Sequence, residues 1–339
     1  MNLNYPTYSQ RLDAFVKLGH IFKQVAEDNS FIQKAFVYNN WFTPSNQVLA
    51  IQALGNELSF EKLQNWTKAY PAVLAEKEPK RVAIIMAGNI PLVGFHDLLS
   101  VLISGHIALV KPSSDDEVLM KWVIDELISI EPLFANQIEW AKEGKLKEFD
   151  AVIATGSNNS HRYFEQYFKN KKSVLRKNRN SIAVLHGNET HEQLEALADD
   201  VFRYFGLGCR NVSKVFWPKG YFPEPVFKAF EKYADIIHHH KYANNYTYHK
   251  AIFLMNQTKH LDNNFILVKE DEKLASPLGV LLFQEYETQD EISNWLIEHK
   301  DEIQCVVGEG FGLDFGQSQC PTLSDYADGV DTLAFLSEL

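Results

Sequence analysis

The feature that most constrains this chain is a regular alternation of short apolar runs with amphipathic segments. Four runs, at residues 81–86, 107–110, 151–155 and 181–185, have the length and apolar content of buried parallel strands. The segments between them place apolar residues at helical spacing. This repeated order is typical of an α/β fold, with a Rossmann-type doubly wound sheet and helices on both faces.

The pattern as a whole divides the chain into four parts. Residues 1–80 have helical spacing and form a helical lead-in, and residues 81–187 hold the alternating strands. Residues 188–307 have a mixed α/β pattern and form a second domain. Residues 308–339 have few clear signals, and we expect them to pack back on the body as a C-terminal tail.

Helix boundaries can be predicted at several positions. Thr43-Pro44 combines an N-cap residue with a proline in the first turn, so a helix begins there. The sequences 114–117 (Ser-Asp-Asp-Glu) and 190–193 (Thr-His-Glu-Gln) have the spacing of capping boxes. We expect the first box to start a helix to about residue 130. Another helix is predicted over residues 91–104.

Composition and charge exclude several classes of protein. The formal net charge of −11 argues against a duplex nucleic-acid binder, which needs a cationic face to displace counterions. Residues 169–179 are the densest basic stretch and form either a solvated face or a phosphate-binding rim. The most apolar stretch, 82–105, contains Pro91 and Asp97 and therefore argues against a membrane span. Three cysteines and no secretory pattern indicate a reduced, cytoplasmic protein.

One of the three cysteines lies in a setting suited to a nucleophile. Cys209 directly follows Gly208 and precedes a predicted strand. A glycine lets the backbone turn sharply and brings a substrate close, although most free cysteines are small buried hydrophobes. Cys305 lies in an apolar strand pattern and Cys320 in a loop, so neither has this setting.

Four segments, in this order and spacing, resemble the aldehyde dehydrogenase superfamily. They are Gly88-Asn-Ile-Pro-Leu92, Leu109-Val-Lys-Pro-Ser113, Thr155-Gly-Ser157 and, after a further strand and helix, Cys209. The most similar branch is the acyl-CoA reductases, the Lux-type enzymes that supply fatty aldehyde in bacterial luminescence and their relatives. Three stretches resemble that branch most closely: 205–213, 240–251 and 325–332. The resemblance covers the chain from about Arg81 to the C-terminus, with a weaker fit before it.

The resemblance implies an aldehyde-dehydrogenase-like fold, a cofactor domain over residues 81–187 and a catalytic domain over residues 188–307. The implied activity is NADPH-dependent reduction of a long-chain acyl-CoA, or an acyl-carrier thioester, to fatty aldehyde. Cys209 would attack the acyl carbonyl and form a thioester. Asn89, together with the backbone N–H of Cys209, would hold the oxyanion. The alternative for Asn89 is a turn residue without a catalytic role.

The resemblance also implies a set of cofactor contacts. They are Lys111, Ser113, Ser114, Gly156 and Ser157. Lys111 would reach the adenosine ribose or its phosphate, and Gly156 with Ser157 would lie near the pyrophosphate at a helix N-terminus. NAD-preferring relatives often carry glutamate where this chain has Ser114, so we expect NADPH. Against this, Ser114 is also a candidate N-cap, and two aspartates follow it. Lys111 could equally be a surface lysine, and Gly156-Ser157 a plain turn and N-cap.

Two departures from the superfamily pattern are informative. The position of the hydrolytic glutamate base falls on Arg176, and an arginine stays charged and cannot deprotonate water. A thioester on Cys209 should therefore wait for hydride or CoA. Glu272 lies near the place of the glutamate that usually binds the nicotinamide ribose, but out of register.

The sequence predicts no metal site and does not determine the partners of the protein. Residues 238–240 are three histidines, but on an extended chain they point to alternate sides, so we expect no metal site. One of them, or His249, could tune Cys209. A homo-oligomer and a complex with an acyl ligase both remain open. Two other functions compete: a cysteine-dependent acyl transferase or thioester hydrolase without a nicotinamide cofactor, and a non-catalytic acyl-binding partner of a ligase.

Overall fold

The structure is a computed structural model, which describes residues 4–75, 77–142 and 146–339. The chain forms two compact units. Unit 1 comprises residues 1–178 and 322–339, and unit 2 comprises residues 179–321. Parts of the expected lead-in and of the first domain (residues 1–3, 76 and 143–145) lie outside the described residues. Among the described residues, no helix is long and apolar enough to cross a membrane.

Unit 1 is a parallel sheet covered by helices. Its strands are β1 Arg81–Ile85, β2 Ile107–Lys111, β3 Ile138–Trp140, β4 Ala151–Thr155 and β5 Lys172–Arg176. They pair in parallel in the order β3-β2-β1-β4-β5. Its helices are α1 Tyr8–Lys23, α2 Ser30–Tyr38, α3 Pro44–Glu57, α4 Phe60–Thr67, α5 Pro71–Leu74, α6 Phe95–Ile103, α7 Glu117–Ile130, α8 Asn158–Phe168 and α13 Thr332–Ser337. The order reverses direction between β1 and β4.

Unit 2 is a second, mostly parallel sheet with its own helices. Its strands are β6 Asn180–Val184, β7 Val212–Pro218, β8 Leu261–Asp262, β9 Leu267–Glu270, β10 Val280–Tyr286 and β11 Ile303–Val307. The order is β11-β6-β7-β10-β9-β8, and only β8 pairs antiparallel, with β9. Its helices are α9 His191–Phe202, α10 Glu224–Phe230, α11 His240–Met255 and α12 Gln289–Glu298. The expected α/β architecture with two sheets is therefore confirmed.

The unit boundaries differ from those expected from the sequence. The apolar run at 181–185 is β6, and it pairs with β7 and β11 in unit 2 instead of extending the first sheet. The first unit consequently ends at residue 178, before the expected boundary at 187. The tail also divides between the units. Residues 322–339 belong to unit 1, because Leu323, Leu333 and Leu336 are buried in its core.

Two strands of unit 1 were absent from the predicted set. β5 lies inside the basic stretch 169–179, which was expected to be a solvated face or a phosphate rim. It forms the edge of the sheet, where charged and half-exposed residues replace the continuous apolar run of a central strand. β3, at the other edge, has only three residues.

Helix starts were predicted with mixed success. Thr43 caps α3 with Pro44 in the first turn, as expected. The box at 190–193 is present, with its two reciprocal hydrogen bonds. The prediction for 114–117 is wrong, because the N-cap of α7 is Asp116, which makes no side-chain cap bond. Its carboxylate instead accepts the backbone N–H of Leu92 at 2.9 Å.

Candidate active site

In unit 1, the expected cofactor residues lie at or just after the carboxyl ends of the parallel strands. β2 and β4 both flank the central strand β1, with Ile85 opposite Lys111 and Ala154. All three strands are parallel, so their carboxyl ends meet at the same edge. The segments containing Asn89, Lys111 and Gly156 follow those ends. Ligands of open α/β sheets bind at this edge, where the strand order reverses.

The turn carrying Asn89 packs tightly against the loop after β2. A Cβ placed on Gly88 would lie 2.5 Å from both Cβ and Oγ of Ser113, so the close approach requires a glycine. Asn89 itself is exposed. The structure thus brings two of the quoted segments, 88–92 and 109–113, into direct contact.

A buried carboxyl group that the sequence analysis missed supports the same turn. Asp116 is only 3% exposed, and its Oδ2 accepts the N–H of Leu92, whose φ of 55° is unusual for a residue with a side chain. Burial raises the pKa of Asp116 well above its usual value, and the neighbouring charge of Asp115 adds to the shift. Through its bond to Leu92, Asp116 holds a strained part of the 88–92 turn in place.

The remaining cofactor candidates have simple local roles. Ser157 is the N-cap of α8, and its hydroxyl accepts the N–H of Ser160 at 3.2 Å. A Cβ on Gly156 would lie 2.9 Å from the Cβ of Ser160. Lys111 is half-buried at the end of β2, and Ser114 is exposed. The first-turn amides of α8 lie at the sheet edge, as an anion site would require.

Arg176, at the position of the hydrolytic base, forms a buried ion pair. Its Nη1 lies 2.7 and 2.6 Å from the two carboxylate oxygens of Asp97, and its Nη2 donates to the hydroxyl of Thr332 at 2.8 Å. Arg176 and Asp97 are 3% and 5% exposed. The side chain is thus committed to a structural network within unit 1.

In unit 2, Cys209 lies on a tight turn, and the backbone segment that leads into this turn is strained. Three consecutive residues after α9 (Tyr204, Phe205 and Gly206) have left-handed backbone conformations, with φ of 52°, 60° and 77°. Burial of the two aromatic side chains holds this segment, since each left-handed residue with a side chain is costly. The backbone N–H of Asn211 then bonds to the carbonyl of Gly208 at 3.1 Å, which closes a turn with Cys209 inside it.

Buried polar groups brace this turn from several directions. The hydroxyl of Ser181, which is fully buried on β6, donates to the carbonyl oxygen of Cys209 at 3.0 Å. Arg210 Nε donates to the carbonyl of Ser318. Asp200, also fully buried, accepts the backbone N–H groups of Gly316 and Ser318 at 2.6 and 2.9 Å. The turn and the 316–318 loop are therefore held together.

The other two cysteines lie where the sequence suggested. Cys305 is on β11, half-buried and 3.0 Å from the Ser181 hydroxyl, and Cys320 is exposed in the loop after Ser318. Neither lies on a glycine-flanked turn like that of Cys209.

The three histidines do not lie on an extended chain. His238 ends a 3-10 helix, His239 caps α11, and His240 is its first residue. The ring of His239 packs on Phe205 with the centroids 4.3 Å apart, so the structure brings one histidine to the segment before Cys209. His249 is half-buried on α11, and burial lowers its pKa. No group of residues that could hold a metal occurs in the described part of the chain.

Lys214 is a second buried group that the sequence analysis did not single out. It is fully buried in β7, and its Nζ donates to the carbonyls of Asp271 and Glu272, both at 2.9 Å, and to Gln284 at 2.8 Å. Burial lowers its pKa to about 8. The signal available in the sequence was a lone charge inside an apolar strand. Lys214 fixes the loop that carries Glu272, whose side chain is exposed.

The fold is similar to solved structures of aldehyde dehydrogenases. One is aldehyde dehydrogenase 21 from Physcomitrella patens with succinate: 13% identity, TM-score 0.68, covering 98% of this chain and 84% of that one. Another is an NAD-dependent benzaldehyde dehydrogenase from Corynebacterium glutamicum: 13% identity, TM-score 0.66, covering 94% and 81%. A third is the NAD+ complex of an aldehyde dehydrogenase from Bacillus cereus: 14% identity, TM-score 0.63, covering 89% and 72%.

The fold thus places the chain among proteins built like aldehyde dehydrogenases. No curated protein matches the chain in sequence. The sequence model of the family described as acyl-CoA reductase (LuxC) matches residues 7–221. The chain belongs to the LuxC acyl-CoA reductase family, and it is an oxidoreductase of the acyl-CoA reductase type.

Proposed function

We propose that the chain reduces acyl-CoA, or an acyl-carrier thioester, to fatty aldehyde with NADPH, through a thioester on Cys209. The observation that carries the proposal is the turn at Cys209: a half-buried thiol on a braced turn, inside the segment matched by the acyl-CoA reductase family. The Cys209 thiolate attacks the acyl carbonyl, and the thiolate of CoA leaves. Hydride addition then gives a thiohemiacetal, which collapses to aldehyde and releases the Cys209 thiolate.

The residues of unit 1 fit a nicotinamide cofactor. The carboxyl ends of β1, β2 and β4 lie side by side, and Gly88 keeps the two loops too close for a side chain between them. In this proposal Lys111 holds the adenosine ribose or its phosphate, with Ser113 and Ser114 beside it. The first turn of α8, with Gly156 and Ser157, takes the pyrophosphate. The bound cofactor supplies the hydride.

The chain is expected to prefer NADPH over NADH. Ser114 is exposed and uncharged, and it does not cap α7. Of the two aspartates that follow, Asp116 is buried and its carboxylate is bonded to Leu92, which leaves Asp115 as the exposed charge beside Ser114. Ser114→Glu should therefore lower the ratio of kcat/KM for NADPH to that for NADH by about 10-fold, equivalent to about 1.4 kcal/mol. Steady-state kinetics with both cofactors measure the ratio.

The matched control for this substitution is Ser114→Gln, which has the same size without the charge. It should leave the cofactor ratio within about 2-fold of the unsubstituted chain, since electrostatic repulsion is the stated cause. A clear NADH preference of the unsubstituted enzyme would refute the assignment.

The acyl-enzyme should react with CoA or hydride much faster than with water. Water attack needs a proton acceptor, and Arg176 at the usual base position is buried in its pair with Asp97. We expect aldehyde, NADP+ and CoA to give acyl-CoA, and free acid to form only slowly when CoA is omitted.

Asn89→Ala should slow both directions, by about 100-fold, because both pass through the same oxyanion. Product analysis by chromatography measures this.

Rapid, stoichiometric free acid without CoA would contradict this expectation. It would mean that another residue activates water, with the histidines at 238–240 as the first candidates to replace. The chain would then belong to the hydrolytic class of aldehyde dehydrogenases.

The acyl donor is the part of the proposal that a single assay can test. NADPH oxidation should be followed with acyl-CoAs of graded length and with an acyl-carrier thioester, and we expect the highest kcat/KM for long chains. Absence of NADPH oxidation with every thioester would overturn the proposed reaction.

We further propose a cytoplasmic enzyme, consistent with three cysteines that form no disulfide.

A further inference from the structure

Asn211 lies directly beneath the turn that carries Cys209, and its side chain is almost completely buried. It is 3% exposed. Its Oδ1 accepts the backbone N–H of Gly208 at 2.8 Å, the residue before Cys209. Its backbone N–H also bonds to the carbonyl of Gly208. Both polar groups of Gly208 are therefore tied to one residue.

The amide nitrogen of the same side chain faces the end of α9. Nδ2 lies 3.1, 3.4 and 2.8 Å from the carbonyl oxygens of Asp200, Val201 and Arg203. The last carbonyls of a helix have no partner inside it and carry partial negative charge. With two N–H bonds to share among three acceptors, Asn211 covers these carbonyls. It thereby fastens the Cys209 turn to the helix end.

The chain between these two points cannot fix the turn by itself. It runs through three consecutive left-handed residues, a conformation that persists only when surrounding contacts enforce it. The charged groups nearby are engaged elsewhere. Asp200 binds the 316–318 loop, Arg210 binds the carbonyl of Ser318, and Arg203 pairs with Asp199 at 3.1 Å. The side chain of Asn211 thus joins the helix end to Gly208.

We propose that Asn211 is a positioning residue for the reaction, which holds the Cys209 thiol in the geometry needed for attack on the acyl carbonyl. This rests on the proposed function of Cys209 as the nucleophile. Displacing a reacting atom by about 1 Å can cost about 100-fold in rate. Covering the helix-end carbonyls also removes negative potential that disfavours a thiolate.

The test compares the acylation step in Asn211→Ala with the unsubstituted enzyme. In a single-turnover experiment with acyl-CoA, the rate of acylation is measured as the rate of CoA release. This rate should fall by about 30- to 100-fold, in keeping with a loss of positioning. The rate of alkylation of Cys209 by iodoacetamide, read by peptide mapping, should also fall. The dissociation constant for NADPH and the apparent KM for acyl-CoA should stay within about 2-fold, since Asn211 bonds to Gly208 and to the end of α9, whereas the residues proposed to bind NADPH belong to unit 1.

The matched control is Asn245→Ala, which removes an asparagine of α11 whose amide bonds to the carbonyl of Lys241 in the same helix. It should acylate at the unsubstituted rate. If Asn211→Ala does not fold, Asn211→Ser provides the same comparison, because serine lacks the amide that bonds to the carbonyls at the end of α9.

Acylation and alkylation rates within about 2-fold of the unsubstituted enzyme in the folded variants would overturn the inference. Labelling the unsubstituted enzyme with acyl-CoA tests the proposed function separately. If the label lies on Cys209, the nucleophile is assigned correctly and only the role of Asn211 is overturned. If the label lies on another residue, the nucleophile assignment itself fails.

Discussion

Replacing Cys209 with alanine should abolish both acylation and aldehyde formation, lowering kcat by at least about 10,000-fold. The covalent route is lost with the thiol, and the other two cysteines, Cys305 and Cys320, lie outside this turn. Because the turn is braced by Asn211 and Ser181, which bond to backbone atoms, alanine should fit without unfolding the segment. Steady-state NADPH oxidation and incubation with labelled acyl-CoA measure the two steps.

The other cysteines provide the controls for this experiment. Cys320→Ala removes an exposed thiol and should leave kcat unchanged within about 2-fold, as expected for a surface site. Cys305→Ser keeps a hydrogen-bonding group opposite Ser181 and should have a similarly small effect. Peptide mapping of the acylated protein locates the label. Label on Cys305 or Cys320 would mean that the nucleophile has been assigned to the wrong residue.

Removing Arg176 should have the largest effect on stability. Arg176→Met would leave the carboxylate of Asp97 buried without its partner, and breaking such a pair typically costs about 3–5 kcal/mol. The hydrogen bond to Thr332 in the C-terminal segment is lost with it. Urea unfolding followed by circular dichroism would report the change in the free energy of unfolding.

A second substitution separates the ion pair from simple loss of packing. Arg176→Met combined with Asp97→Leu removes both charges and should recover much of the loss, because a buried pair replaced by apolar groups is often neutral. A single variant within about 1 kcal/mol of the unsubstituted chain would contradict a structural role for the pair. Arg176→Glu would place two carboxylates together, so it would destabilise unit 1 rather than restore a hydrolytic base.

The central strands of unit 1 were predictable from the sequence, because residues buried on both faces leave continuous apolar runs, whereas β10, inside the sheet of unit 2, was not predicted. The edge strand β5 was not, since it begins with a lysine, ends with an arginine and lies in a basic stretch typical of a surface segment. The sheet that a run joins was also beyond the pattern: β6 has the same apolar character as the strands of unit 1 but pairs in unit 2. Local sequence determines that a strand forms, whereas its neighbours depend on the whole fold.

The candidate site shows the same division. Gly208 before Cys209 indicated a turn with a thiol, and the structure has that turn. The groups that hold the turn could not be predicted, because their partners come from separate places in the chain. Ser181, for example, reaches a carbonyl 28 residues away. The failed capping box at 114–117 has the same cause, since the carboxylate of Asp116 is used 24 residues away at Leu92.

The division of unit 1 into two stretches of chain imposes an order of events during synthesis on the ribosome. Unit 2 is encoded between the two stretches, so all of it has been made before residues 322–339 emerge. Until then, His96 and His106 lack the carbonyls of Leu323 and Leu336 that they bond in the finished protein. Unit 2 is one continuous stretch of chain, whereas unit 1 is completed only by residues 322–339. A pause or stop in translation near residue 321 would therefore leave apolar residues around α5 and α6 without the helix that packs on them.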